Sequence, residues 1–161
     1  MNALMPARIF IHGLESSNQG TKAVYLRERY PEMIIPTFTG SLRERMEALE
    51  KVLEGLSGLN LIGSSFGGLM AALFALENEP RVNRVILLAP ALNLLEFASP
   101  GRTETRVPAW IFHGRRDDVI PIEAVEPIAK KIFLDLHFEA VEDDHSLHQT
   151  FASIPWDKLL A

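Results

Sequence analysis

Apolar residues in this chain fall into short continuous runs, and amphipathic stretches lie between them. Ile9-Phe10-Ile11, Met33-Ile34-Ile35, Leu59-Asn60-Leu61-Ile62, Val82 to Leu88, Ala109 to Phe112 and Leu136 to Val141 predict six strands. Val85-Ile86-Leu87-Leu88 is apolar without alternation, which fits a central strand covered on both faces in a parallel sheet. Helices are predicted over Lys22 to Tyr30 and Leu42 to Glu54. The second carries Leu42, Met46, Leu49, Leu53 and Leu56 at intervals of four and three, with Arg43, Glu44, Glu47, Glu50 and Lys51 on the other side. Leu69, Met70, Leu73, Phe74 and Leu76 recur at helical spacing. A further helix is expected within Ile122 to Phe133, with Pro127 comfortable only in its first turn. Ser146 to Leu160 reads as mainly helical. The repeated β-α unit predicts one α/β domain over residues 1–161, with a mainly parallel sheet of about six strands and helices on both faces.

Gly55 to Leu76 contains no charged residue, so hydropathy alone admits a membrane helix with a G-x-x-x-G packing motif. Asn60, the serines and five glycines interrupt it, and a strand, a tight turn and a helix need those interruptions where a membrane span does not. At the turn stands Gly63-Ser64-Ser65-Phe66-Gly67, a G-x-S-x-G frame around Ser65. A serine at the tip of a sharp strand-to-helix turn sits in strained backbone, and the flanking glycines let the turn close. Taken alone, the pentapeptide also fits an ordinary glycine-rich turn with a solvated serine. Partners elsewhere decide.

Composition narrows the setting. A chain of 161 residues buries roughly 70% of its unfolded surface as one domain. The net charge of -5, with acids interleaved among the arginines as in Arg43-Glu44-Arg45, argues against nucleic acid as a partner. Cysteine is absent, which removes disulfides, thiolate zinc sites and a cysteine nucleophile, and fits a reducing compartment. Met1 to Arg8 lacks a basic region followed by a long apolar stretch, so no signal peptide is read and the cytoplasm is the expected location.

Two further segments carry chemistry. His113-Gly114-Arg115-Arg116-Asp117-Asp118 follows the predicted strand at Ala109 to Phe112, and Glu142-Asp143-Asp144-His145 follows the one at Leu136 to Val141. In a parallel sheet, residues just past the carboxyl ends of strands share one edge, so both segments lie on the edge of Ser65. A serine nucleophile needs an imidazole base whose other nitrogen is held by a carboxylate. His145 is the histidine so placed; His12 and His113 read as turn residues beside glycines, His137 as a strand residue and His148 as a helical one. Asp117 is the chosen carboxylate, with Asp118 as its rival. Asp143 and Asp144 crowd His145, and such carboxylates would favour the imidazolium and shift activity toward alkaline pH.

The order Ser65, Asp117, His145, with His12-Gly13, Gly63-Ser64-Ser65-Phe66-Gly67-Gly68, His113-Gly114-x-x-Asp117 and Asp144-His145, resembles small lidless serine esterases of the α/β-hydrolase superfamily over nearly the whole chain. Ile11-His12-Gly13-Leu14-Glu15-Ser16-Ser17 is similar to a bacterial esterase-like group. The resemblance implies a minimal α/β-hydrolase fold without a cap domain, since only Pro90 to Arg106 separates the fourth and fifth predicted strands. It implies an oxyanion hole from the backbone N–H groups of Leu14 and Phe66, no metal and no organic cofactor. Its expected partner is a small-molecule ester or thioester, or an acyl group on a larger carrier. An acyltransferase using the same triad, or a non-catalytic binding protein on this fold, are the alternatives.

Overall fold

The computed structural model describes residues 6–161; of the segment Met1 to Arg8, read above for a leader, residues 1–5 lie outside the described residues. Five strands form one sheet: β1 (Ala7–Ile11), β2 (Leu59–Ser64), β3 (Val82–Leu88), β4 (Ala109–Gly114) and β5 (Leu136–Val141). All neighbours are parallel, in the order β1-β2-β3-β4-β5.

The expected count of about six strands is one too high. Met33-Ile34-Ile35 lies beside β1 but contributes a single bridge, Ile9 to Ile34, in which Ile34 N–H donates to Arg8 and Phe10 N–H donates to Ile34. The next rung would require a donor from residue 36, and Pro36 has no N–H. The apolar run is thus extended and paired once, and then the ladder stops.

Five helices accompany the sheet: α1 (Thr21–Arg29), α2 (Leu42–Val52), α3 (Phe66–Glu77), α4 (Leu95–Ala98) and α5 (Glu126–Ile132), with a short α6 (Trp156–Leu159) near the end. Sequential strand order with crossovers of one hand sends α2, α3 and α5 to one face, whereas α1 leads out to the Ile34 bridge beside β1 and lies on the other. On that face Leu49, Leu73, Phe74, Ala129 and Ile132 from α2, α3 and α5 pack on Ile9, Leu61, Leu87 and Ile111. The opposite face, with Phe10, Ile62, Ile86 and Phe112, is covered by Ala23 and Leu26 of α1 and by Trp156 and Leu159 of α6. Helix α3 is buried from Gly67 through Leu76, because the sheet lies on one side of it and α2 and the turn at Leu92–Leu94 lie on the other.

The C-terminal segment departs from the expected helix. Between Ser146 and Leu160 only the 3-10 turn Phe151–Ser153 and the four residues of α6 are helical. Leu147 takes a positive φ of 54°, and Pro155 ends the 3-10 stretch. Polar ties fasten the segment instead: Arg8 and Asn60 donate to Leu160 O, and Arg84 donates to Leu159 O. Within Pro90 to Arg106, Leu92 and Leu95 are buried in the core, so this short stretch lies against the molecule, and among the described residues no cap domain stands over the sheet edge. Among the described residues no helix is long and apolar enough to cross a membrane; Gly55 to Leu76 divides into β2, a turn and α3.

Candidate active site

Ser65 occupies the junction of β2 and α3 with φ 56° and ψ -115°, a conformation that costs a non-glycine residue about 1–3 kcal/mol. Its own backbone holds it there. Ser65 N–H donates to Leu88 O, and Ser65 O accepts from Gly68 N–H and Ala91 N–H, each at 2.9 Å. The flanking glycines are required by contact: a Cβ on Gly63 would stand 2.3 Å from Gly67 O, and one on Gly67 would stand 2.0 Å from Ile11 O. The absence of these carbons lets the start of α3 press against the end of β1.

The loops after β4 and β5 meet in the same way. A Cβ on Gly114 would lie 2.3 Å from Asp143 O, and Arg116 N–H donates to that oxygen at 3.0 Å. This close approach sets Asp117 beside His145. Asp117 is buried, and its Oδ1 accepts from Val119 N–H at 2.9 Å and Ile120 N–H at 2.7 Å. Its Oδ2 lies 2.7 Å from His145 Nδ1, and His145 Nε2 lies 3.1 Å from Ser65 Oγ. With Nδ1–H given to the carboxylate, Nε2 carries the lone pair that faces the hydroxyl. Asp118, the rival, is exposed and takes no part in this chain of bonds.

Two histidines read as turn residues have more definite places. His113 is wholly buried at the end of β4; its Nε2 lies 2.8 Å from Ile120 O and 3.3 Å from Asp117 Oδ2, while its Nδ1 has no partner. It thus ties the loop that carries Asp117 to β4 and lies beside the same carboxylate, and its four-residue spacing from Asp117 was the available signal. His12 donates from Nδ1 to Gly13 O at 2.7 Å and accepts at Nε2 from Phe38 N–H at 2.8 Å. Burial, seconded by nearby Arg45, lowers its pKa below the usual 6.5 despite the Gly13 bond, so the ring stays neutral and braces the loop after β1.

Leu14 follows in that loop with its side chain 54% exposed, and Phe66 opens α3. Among the described residues neither backbone N–H donates to a protein acceptor. The acids beside His145 are committed elsewhere. Buried Asp143 accepts from Asp144, Gln149 and Thr150 N–H, and Asp144 pairs with His148 Nδ1 at 2.7 Å. His148 lies in a turn, not a helix. Beside the Ser65 site, a cleft of about 410 Å³ opens between Gly13, Ser64, the start of α1 and the segment from Ser146 to Ala152.

A family model described as alpha/beta hydrolase fold matches residues 39–121, just over half of the chain. The chain belongs to the alpha/beta hydrolase fold family. Solved structures similar to it include alpha/beta hydrolase domain-containing protein 10 from mouse, at 19% identity and a TM-score of 0.77, covering 99% of this chain and 92% of that one. An alpha-beta serine hydrolase homologue from Coxiella burnetii aligns at 19% identity and a TM-score of 0.73, covering 96% and 83%. Est1E from Butyrivibrio proteoclasticus aligns at 17% identity and 0.74, covering 96% and 85%. Identities this low speak to the fold alone. No curated protein matches the chain. As an alpha/beta hydrolase fold, the chain brings Ser65, Asp117 and His145 to one edge from β2, β4 and β5, in the order Ser, Asp, His.

Proposed function

We propose that this chain is a serine hydrolase that cleaves carboxylic esters or thioesters of accessible acyl groups through an acyl-enzyme. The observation that carries the proposal is the continuous hydrogen-bonded line from Asp117 through His145 to Ser65, with the serine on a strained strand-to-helix turn. In this mechanism Ser65 Oγ attacks the carbonyl carbon as His145 Nε2 takes its proton, and the carbonyl π pair moves onto oxygen. Backbone N–H groups of Leu14 and Phe66 receive that oxyanion, each contributing on the order of 3 kcal/mol, and the positive end of α3 adds to the field. Collapse expels the alcohol or thiol with the proton from His145. Water, deprotonated by His145, then attacks the acyl carbon, and the acid leaves as Ser65 regains its proton.

The lack of a cap over this edge supports small or protruding acyl groups. Est1E has been solved with ferulic acid bound, a carboxylic acid and so of the product class proposed for this chain. A cytoplasmic location is part of the proposal, since a cysteine-free chain suits a reducing compartment. The test is labelling by a fluorophosphonate together with turnover of p-nitrophenyl acyl esters. The native chain should be labelled and active, and Ser65→Ala should show neither. An unlabelled, inactive native protein would sink the proposal.

A further inference from the structure

Lys22 stands against two ordinary preferences. It occupies the first turn of α1, where the helix dipole disfavours a cation and no acidic residue offsets it. It is also half-buried in the wall of the cleft beside Ser65, with its ammonium 5.7 Å from the centre of the Phe151 ring. No ion pair or hydrogen bond joins its ammonium to another described residue, and the Phe151 ring is the contact that it makes. The acids closest in effect are Asp143 and Asp144, and both are occupied: Asp143 by backbone donors, Asp144 by His148. Burial lowers the Lys22 pKa from its usual value, and the more distant pull of Asp144 and Asp143 only partly offsets this. A partly desolvated cation that faces an aromatic ring, with no anion bonded to it, is placed to take the charge of an anionic ligand.

The cleft supplies a reason. It adjoins the nucleophile: Gly13 and Ser64 form part of its wall, and a Cβ on Gly13 would sit 3.4 Å from Ser65 Cβ and 3.9 Å from Ser65 Oγ. Around Lys22 the lining mixes apolar Phe10 and Phe151 with hydroxyls of Ser16, Thr21 and Ser146. Such a lining gives hydroxyl donors to an anion and apolar walls to the carbons that carry it.

We infer that Lys22 is a specificity-determining residue whose ammonium binds an anionic oxygen group, carboxylate or phosphate, carried by the substrate at a distance from the scissile carbonyl. This rests on the proposed ester hydrolysis at Ser65. The substrate class is therefore an ester or thioester with a remote negative charge.

Matched esters test the inference and locate the charge. Mono-p-nitrophenyl glutarate against p-nitrophenyl valerate places a carboxylate on the acyl side. On the alcohol side, 4-acetoxybenzoate against 4-acetoxytoluene does the same, and glycerol phosphate monoacetate against glycerol monoacetate brings a phosphate. For at least one pair, the ratio of kcat/KM for the anionic to the neutral member should fall about tenfold or more in Lys22→Met, the loss of one charge-assisted hydrogen bond. Lys22→Arg should keep most of the ratio. Free glutarate, or inorganic phosphate if the phosphate pair responds, should raise the native Tm and leave Lys22→Met unmoved. Ratios equal in native and Lys22→Met for all pairs, with no ligand effect on Tm, would overturn the inference. Fluorophosphonate labelling of the native chain separates the two failures. Labelling with Lys22-independent ratios defeats the anion site alone, and absence of both labelling and turnover defeats the hydrolase reading with it.

Discussion

Individual side chains near Ser65 divide into those that form the line of bonds and those that merely adjoin it. Asp117 and Asp118 are neighbours in sequence, yet one is buried with three hydrogen-bond donors on its carboxylate and the other is exposed. Steady-state kinetics should separate them: Asp117→Asn lowers kcat on the order of 10⁴-fold by offering His145 the wrong tautomeric partner, while Asp118→Asn stays close to the native value. His113 makes a subtler case. Its ring is buried with one nitrogen unsatisfied, an arrangement that costs stability, and its other nitrogen reaches Asp117 Oδ2. His113→Phe removes the unsatisfied nitrogen and, with it, the bond to Ile120 O. The expected outcome is an unfolding free energy within about 1 kcal/mol of native, the relieved nitrogen offsetting the orphaned Ile120 O, together with a fall of about tenfold in kcat as the loop that positions Asp117 loses its tie to β4. A variant that loses neither kcat nor stability would leave His113 as packing.

At the scale of elements, the legible parts are those whose signal is local. The unbroken apolar run of β3 maps onto buried positions, and the stripe of α2 packs on the core with Leu49 and Leu53 buried and Leu42, Met46 and Leu56 partly so, since one helix face and one central strand each answer to a single pattern. The three side chains proposed for catalysis were legible because each follows a strand whose carboxyl end shares one edge. What was not legible depends on backbone partners. Met33-Ile34-Ile35 has the composition of a strand, but its ladder ends where Pro36 would have to donate. The segment after Ser146 has helical composition, yet a positive φ at Leu147 and the hold of Asp143 on Gln149 and Thr150 keep it out of a regular helix. Helix α2 shows the local logic in its first turn: Ser41 Oγ accepts from Glu44 N–H, and Glu44 Oε1 accepts from Ser41 N–H. Ser41→Ala should therefore cost about 1 kcal/mol of unfolding free energy, seen as a lower urea midpoint with an unchanged m-value.

For the molecule as a whole, the C-terminal segment covers one face of the sheet and joins the β5 loop that carries His145, so its attachment couples stability to the site. Asp143 is the joint. Burial by itself would raise its carboxyl pKa, but hydrogen bonds from Thr150 and from the N–H groups of Asp144 and Gln149 outweigh that and hold it below the ordinary 3.8. A depressed folded pKa contributes stability above the unfolded value, and that contribution disappears as pH falls from about 4 through the folded value. His12 acts earlier. Its folded pKa lies below 6.5, so beneath that pH the unfolded chain takes up a proton that the folded chain refuses, and stability declines. Urea midpoints measured from pH 8 to pH 3 should thus fall in two stages, the first beginning near pH 6.5 and the second below about pH 4. Asp143→Asn loses its own share of the second stage and keeps those of Glu79, Asp144 and Asp157, whose pKa values are also lowered: it should be less stable than native at pH 7, with a flatter acid limb. Amide exchange locates the loss, because the Gln149 and Thr150 amides bond to the Asp143 carboxylate at 3.0 and 2.8 Å. Their protection factors at pH 7 should drop in Asp143→Asn while those of β3 change only as global stability does. Equal protection at Gln149 and Thr150 in both proteins would mean that the segment is held by its apolar contacts and by ties such as those of Arg8, Asn60 and Arg84, without Asp143.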